Sequence, residues 1–307
     1  MTGPVKIDIA FDLRNHLGCS EIAVALGMSH YETPYQLWER KTGRAPAKQA
    51  TLAMRLGVPM EPIIKALYEE RTGSKLRRNN KKFQHPWLPL VGHLDYEVVG
   101  EPGLVDGKSS LSFGGRSRYG GDGTDELPPE HILQGHGYLT LTRKQWIDFA
   151  VLMIGPEFRV FRLNADLEIQ TMIAEGIKEF WEYVTTDTPP PLTTLEDANR
   201  RYSRATHDCK TIDAKTAILL SSYRALKADI KTKEIQADSY ELLIKEAMGE
   251  HEALTDDQDR PVCTWKNQTS KRMDTTAFKE AHPDIAASFV KETTSRVFRL
   301  AKEKNNG

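Results

Sequence analysis

Apolar positions in the first 80 residues recur at helical spacing. Ser20-Glu21 precedes the short run Ile22 to Leu26, and Thr33-Pro34 precedes a run through Tyr35, Leu37 and Trp38, with Gly27 and Gly43 as stops. A third helix is predicted over Glu61 to Arg71, where Ile63, Ile64, Leu67 and Tyr68 form one stripe ahead of Gly73. The period then shortens to two. Val91 to Val99 and Leu104 to Ser110 read as strands joined by Gly100-Glu101-Pro102-Gly103. Pro128-Pro129-Glu130 opens a helix ending near Thr142, and Trp146 to Ile154 and Arg159 to Leu163 read as a second strand pair turning at Gly155-Pro156. Helix, hairpin, helix, hairpin over residues 1–185 predicts an α+β core.

Pro189-Pro190-Pro191 redirects the chain and sets the expected division into domains 1–188 and 189–307. Beyond it, Leu219, Tyr223, Leu226, Ile230, Ala237, Tyr240 and Ile244 follow 4,3 spacing, interrupted at Lys233, which predicts one long helix or a helical hairpin. That stripe is expected to pack within the chain or at a subunit contact. An acidic loop over 250–259, a strand near Val262 to Lys266 and a helix around Phe278 to Val290 complete a mostly helical extension with a small strand pair.

Composition narrows the function classes. With 39% hydrophobic and 28% charged residues the chain is an ordinary globular one, neither collagen-like nor a disulfide scaffold. The longest apolar run, Phe149 to Gly155, is seven residues against the roughly 20 that span a bilayer, and no basic-then-apolar leader opens at Met1. A soluble, intracellular protein is expected. Cys19, Cys209 and Cys263 are too few and too scattered for a disulfide framework or a C-x-x-C knuckle. Lys plus Arg (42) nearly cancels Asp plus Glu (43), so any case for nucleic acid rests on local clusters. Lys75, Arg77, Arg78, Lys81 and Lys82, followed by Phe83 and Trp87, form one such cluster, suited to a phosphate backbone or simply to solvent.

The candidate chemistry lies in His93-Leu94-Asp95-Tyr96-Glu97 and Asp106-Gly107-Lys108. Side chains alternate along a strand, so Asp106 and Lys108 share a face, as do Asp95 and Glu97. A loop centred on Glu101-Pro102 sets Asp95 opposite Lys108 and Glu97 opposite Asp106, with all four on one side. Two carboxylates about 4 Å apart repel by about 4 kcal/mol at an effective dielectric near 20, so a site that converges them needs a cation. Oxygen ligands favour Mg²⁺ or Mn²⁺, and an adjacent lysine would polarise a water aimed at a phosphodiester. The spacing alone equally describes a solvated, salt-bridged strand face.

Further residues resolve that choice through a resemblance. Arg14-Asn15-His16-Leu17-Gly18-Cys19-Ser20-Glu21-Ile22-Ala23, Leu26-Gly27, Tyr31-Glu32-Thr33-Pro34-Tyr35-Gln36-Leu37-Trp38, Lys41-Thr42-Gly43, Gly57 to Glu61 and Ile132-Leu133-Gln134-Gly135-His136-Gly137-Tyr138 resemble the phage lambda exonuclease and YqaJ-type viral recombinase family. That family lies within the PD-(D/E)XK nuclease superfamily, and the resemblance spans roughly residues 12–165. It implies a mixed central sheet flanked by helices. It makes Asp95, Asp106 and the Gly107 carbonyl metal ligands and Lys108 the catalytic lysine, with Glu61 and Gln134 beside them. Arg14 and Ser20 would bind a DNA 5′-phosphate; the plainer reading of Ser20 is a helix cap. His93 is read as a structural histidine before a metal ligand. Arg116 or Arg118, in a glycine-rich stretch without the P-loop pattern, would touch DNA or sit in a plain loop.

The implied activity is an Mg²⁺-dependent (or Mn²⁺-dependent) exonuclease that digests linear duplex DNA from 5′ to 3′ and leaves 3′ tails for recombination. It brings a ring-shaped homotrimer, a single-strand annealing protein as partner, and the cytoplasm of a bacterial host as the setting. The alternatives are an endonuclease on the same core and a catalytically silent DNA-end binding module. Two positions depart from the family pattern: Asp106 where Glu is commoner, and His93-Leu94 where a small residue and proline are usual.

Overall fold

The computed structural model describes residues 14–46, 49, 51–110, 112–155, 157–206 and 208–301, and the chain divides into two units, residues 1–203 and 204–307. In the first unit β1 (Leu17–Gly18) leads into a 3-10 turn (Cys19–Glu21), α1 (Ile22–Ala25), α2 (Pro34–Lys41) and α3 (Leu52–Thr72). Strands β2 (Leu76–Arg78), β3 (Lys82–Gln84), β4 (Leu90–His93), β5 (Tyr96–Val98) and β6 (Gly103–Ser110) follow, then α4 (Phe113–Arg116), α5 (Pro129–Thr142), β7 (Trp146–Met153), β8 (Glu157–Asn164), α6 (Leu167–Thr185) and α7 (Leu195–Arg201). Pro156, half of the expected turn, lies outside the described residues.

Five strands form a mixed sheet in the order β2-β5-β6-β7-β8, with β6 and β7 parallel and the other pairs antiparallel. A second sheet, β1-β4-β3, pairs β1 parallel to β4. The expected strand Val91 to Val99 is therefore two strands of different sheets, broken at Leu94-Asp95. Charge hid β2 and β3, which the sequence pattern assigns to a basic cluster: their lysines and arginines face outward while Leu76 is buried. Helix α6 also escapes the pattern reading, although Ile173, Ile177 and Phe180 are its buried stripe.

Helix α3 starts nine residues before the expected Glu61, capped by the Thr51 hydroxyl, which accepts from the Met54 N–H at 3.3 Å. Pro59 and Pro62 lie inside it, and a proline ordinarily breaks the backbone ladder, so the pattern pointed to a later start. The proline triplet at 189–191 falls inside the first unit. Buried Asp197 on α7 accepts from the Thr33 hydroxyl at 2.8 Å, joining α7 to the start of α2.

The main sheet packs on both faces. Val105, Trp146 and Ala150 meet Ile64 and Tyr68 of α3, whereas Leu104, Ile147, Phe149, Val151, Phe161 and Leu163 face α5 and the amino-terminal helices. Helix α5 approaches this second face closely because it carries glycine where a side chain would collide: a Cβ at Gly135 would lie 2.9 Å from the Phe149 ring. At Gly137 a Cβ would lie 2.4 Å from Ile22 Cδ1. The amino-terminal motif is held by charge. Lys41, its side chain only 1% exposed, reaches Glu21 at 2.6 Å and the His16 carbonyl at 2.7 Å. Arg40 bridges Glu21 and Glu32.

The second unit contains α8 (Ala214–Met248), β9 (Ala253–Thr255), β10 (Pro261–Thr264), α9 (Thr275–Ala281) and α10 (Pro283–Ser288). Of the two sequence-based alternatives, α8 is one continuous helix, about 50 Å long at 1.5 Å per residue. The β9-β10 hairpin turns through the acidic segment, with Asp256 accepting from the Gln258 and Arg260 N–H groups. No described helix is long and apolar enough to cross a membrane.

Gly135→Val is expected to lower unfolding free energy by about 1–3 kcal/mol through overpacking against Phe149 and Leu163, measured by urea titration.

Candidate active site

The hairpin between β5 and β6 fixes the register of the acidic residues. Its loop is Val99 to Pro102, one residue earlier than the expected turn, and Gly100 adopts φ 82° there. Tyr96 pairs with Val105 and Glu97 with Leu104, so Asp95 falls in line with Asp106 rather than with Lys108. A shift of two leaves the faces unchanged. Leu104, Asp106 and Lys108 lie opposite Ile147, Phe149 and Val151 on the parallel neighbour, on the face that α5 covers.

Glu61, Asp95, Asp106, Gly107, Lys108 and Gln134 line one cavity of about 270 Å³ between α3, α5 and the β5-β6 hairpin. Gly57, Ser109 and Tyr138 line it too. Asp95 Oδ2 accepts from the Gly107 N–H at 2.9 Å, which ties the bend between the two sheets to β6. Asp106 is 2% exposed, and its Oδ2 has no hydrogen-bond partner beyond the ion pair with Lys108 Nζ at 2.5 Å. Gln134 Nε2 donates to the Tyr138 hydroxyl at 2.9 Å, one helical turn further along α5. Tyr138 and Ser109 carried no role in the sequence reading; the four-residue spacing of Gln134 and Tyr138 was the available signal for the first.

Burial dominates the electrostatics. It pushes the Asp106 carboxyl up to about 6, with Lys108 opposing and Asp95 adding to the rise. Asp95 is raised for the same reason, with Lys108 and the Gly107 N–H pulling it down and Glu61 pushing it up. Burial alone would lower Lys108, but Asp106 and Asp95 outweigh it and hold the ammonium above its ordinary value. Lys108 therefore stays charged and acts as a donor.

The remaining candidates separate. Glu97 does not join the cavity: it is held by Arg77 at 2.9 Å and by Asn79 Nδ2 at 2.7 Å, opposite Leu104. That corrects the expected group of four, and Glu61 supplies the third carboxylate instead. Ser20 is exposed within the 3-10 turn, and the turn's N-cap is Gly18, so Ser20 is not a helix cap. Arg14 is also exposed, and neither lines the cavity. Arg116 pairs with Glu157 at 2.6 Å. Arg118 lines a neighbouring cavity that shares Lys108 and Ser109 with the first. His93 ends β4 outside the cavity, its pKa lowered by burial and by Arg78 and Lys82.

Among the described residues no group of three or more His, Cys, Asp or Glu side chains is arranged to hold a metal ion. What is present is a buried carboxylate with an under-satisfied oxygen, Asp106, beside the half-buried carboxylate of Asp95. Such hard oxygen donors fit an ion that keeps several of its own waters, as Mg²⁺ does.

Residues 12–145 match the YqaJ-like viral recombinase domain, so the resemblance carried by the amino-terminal and α5 motifs holds. The uncharacterized protein YqaJ of Bacillus subtilis (strain 168) is 29% identical over 300 residues, covering 94% of this chain and 91% of that protein. Its similarity thus continues past residue 165 through most of the second unit. Among solved structures, the alkaline exonuclease LHK-Exo of Laribacter hongkongensis overlaps at 18% identity and a TM-score of 0.45, covering 62% of this chain and 95% of that one. A phage-related exonuclease of Haemophilus somnus 129PT overlaps at 14% identity and a TM-score of 0.47, covering 56% and 94%. The α+β class, a mixed sheet flanked by helices, rests on the strand order and register above.

One pH dependence follows from His131, stacked on Phe149, whose pKa is pushed down to about 3 by burial and by Lys108 and Arg118. The unfolded chain binds a proton here that the folded chain refuses. Stability is therefore fully present above pH 6.5 and falls on acidification toward pH 3, by at most about 1.4 kcal/mol per pH unit from this group. Urea midpoints at pH 7 and pH 5 are expected to differ less in His131→Gln than in the unaltered protein.

Proposed function

We propose that the chain is a metal-dependent deoxyribonuclease that digests linear double-stranded DNA from its 5′ ends and leaves 3′ tails for recombination of the viral type. The observation that carries this reading is the convergence of Asp95, Asp106 and Lys108, with Glu61 and Gln134, in one cavity under α5. The match to a viral recombinase domain supports the same assignment.

Asp95, Asp106 and the Gly107 carbonyl would hold Mg²⁺ or Mn²⁺. When bound, that ion would offset the repulsion of the carboxylates and stabilise charge on the phosphoryl group. Lys108, kept charged by its two acidic neighbours, orients the attacking water and the phosphodiester oxygens by donating from Nζ. Glu61 accepts from that water, and Gln134, fixed by Tyr138, holds Lys108 and the water in place. Asp106 and Gln134 are buried beside this cavity, and the removal of Asp106 from water strengthens its contacts. Arg14, Ser20 and Arg116 would meet the DNA outside the cavity, with β2 and β3 presenting a basic edge.

The wider assignment has residues 1–188 as the nuclease and 189–307 as an extension that sets assembly or partner choice. A homotrimer threaded by DNA, a single-strand annealing partner and action in the cytoplasm of a bacterial host complete it.

Incubation with Mg²⁺ and linear duplex DNA, beside a closed circle, tests the activity. Nucleotide release from linear DNA only, faster with 5′-phosphate than 5′-hydroxyl ends and reduced at least about 100-fold in Lys108→Ala, is expected. Cleavage of the circle would instead assign an endonuclease, and full activity in Lys108→Ala would reject the site. Metal binding has its own readout: Mn²⁺ is expected to raise the melting temperature of the unaltered protein, and the rise should vanish in Asp106→Asn.

A further inference from the structure

Lys108 and Ser109 line a second cavity, of about 400 Å³, on which the proposed chemistry makes no demand. That volume lies within the roughly 300–1,000 Å³ of small-molecule pockets. Three rings contribute to its walls: Tyr31, Tyr119 and His131. Tyr119 and His131 are fixed to the core, their polar atoms 3.2 Å apart and the His131 ring stacked on Phe149. Tyr31 is different, being 73% exposed yet held in place. Arg118 donates to its hydroxyl at 3.2 Å and lies 6.0 Å from its ring centroid, and Glu130 holds Arg118 at 2.6 Å. An exposed ring held by a charged clamp presents much of its surface to solvent.

The charges select the ligand class. Arg118 is matched by Glu130 at 2.6 Å, and Lys108 lies on the border shared with the carboxylate cavity, so a phosphate belongs at that border and not inside this second cavity. Stacking surface and the hydroxyls of Ser109, Ser110 and Ser112 suit a flat heterocycle and its sugar. We propose that this cavity is a nucleoside subsite, taking the base and sugar of the nucleotide that adjoins the scissile phosphate at Lys108, with Tyr31 as its stacking platform. The proposal rests on the nuclease reading for the position of that phosphate. Arg118 is then a positioning residue that acts through Tyr31 and not a phosphate contact.

Calorimetric titration of the full chain in Mg²⁺ with thymidine 5′-monophosphate and with inorganic phosphate tests it, since neither probe contains a bond the enzyme would cleave. The nucleotide is expected to bind at least about tenfold more tightly than phosphate. Tyr31→Ala should weaken the nucleotide about tenfold and leave phosphate unchanged, while Tyr31→Phe, which keeps the ring, should stay within about twofold. Equal affinities in the unaltered protein, or a nucleotide affinity indifferent to Tyr31→Ala, would overturn the subsite. The two readings fail separately: DNA hydrolysis without the nucleotide margin rejects the subsite alone, and the margin without hydrolysis rejects the nuclease.

Discussion

Asp106 sits in the middle of the sheet with its carboxylate out of water, faced by a second carboxylate at the break just before the neighbouring strand and by one ammonium two residues along its own strand. Desolvation and like-charge repulsion both act against this arrangement, and Lys108 answers only part of them, as the raised Asp106 pKa records. The surrounding structure serves to maintain it. The Gly107 N–H fixes Asp95, the parallel pairing of β6 with β7 fixes Asp106 and Lys108, and α5 seals the face above them.

Close approach of α5 is the condition for that seal, and it explains why Gln134-Gly135-His136-Gly137-Tyr138 has its composition. The two glycines let the helix settle between the sheet and the amino-terminal turn, while Gln134 and Tyr138, one turn apart, face the carboxylates. The amino-terminal motif has a corresponding structural task. Glu21, Glu32, Arg40 and Lys41 form a nearly buried ion-pair network that holds β1 and the 3-10 turn in place, and Cys19 from that turn reaches the core. Much of what makes the motif distinctive is thus scaffolding. A buried network of this kind costs desolvation, and its return is a fixed geometry more than net stability.

The nucleoside cavity and the carboxylate cavity meet at Lys108, which is where a substrate spanning both would place its phosphate. One side offers acidic oxygens and the other aromatic faces. A polynucleotide, in which each phosphate is flanked by sugars that carry bases, matches that division of chemistry better than a lone anion or a lone ring does.

Alternation along Leu104 to Lys108, the turn residues around Gly100 and the apolar stripes of α3 and α5 lay in the sequence itself, because periodicity follows from local backbone geometry. They sufficed for an α+β class, for Asp106 and Lys108 on one face and for the family resemblance. Local pattern could not decide the register, which moved by two when the loop closed one residue early, nor the break at Leu94-Asp95 that sends β4 and β5 into different sheets. It could not rank Glu61 above Glu97 either. Both are acids at sensible spacing, but Arg77 and Asn79 hold one away from the cavity while α3 brings the other to it. Those outcomes depend on contacts between residues far apart in the chain, and only the packed structure contains them.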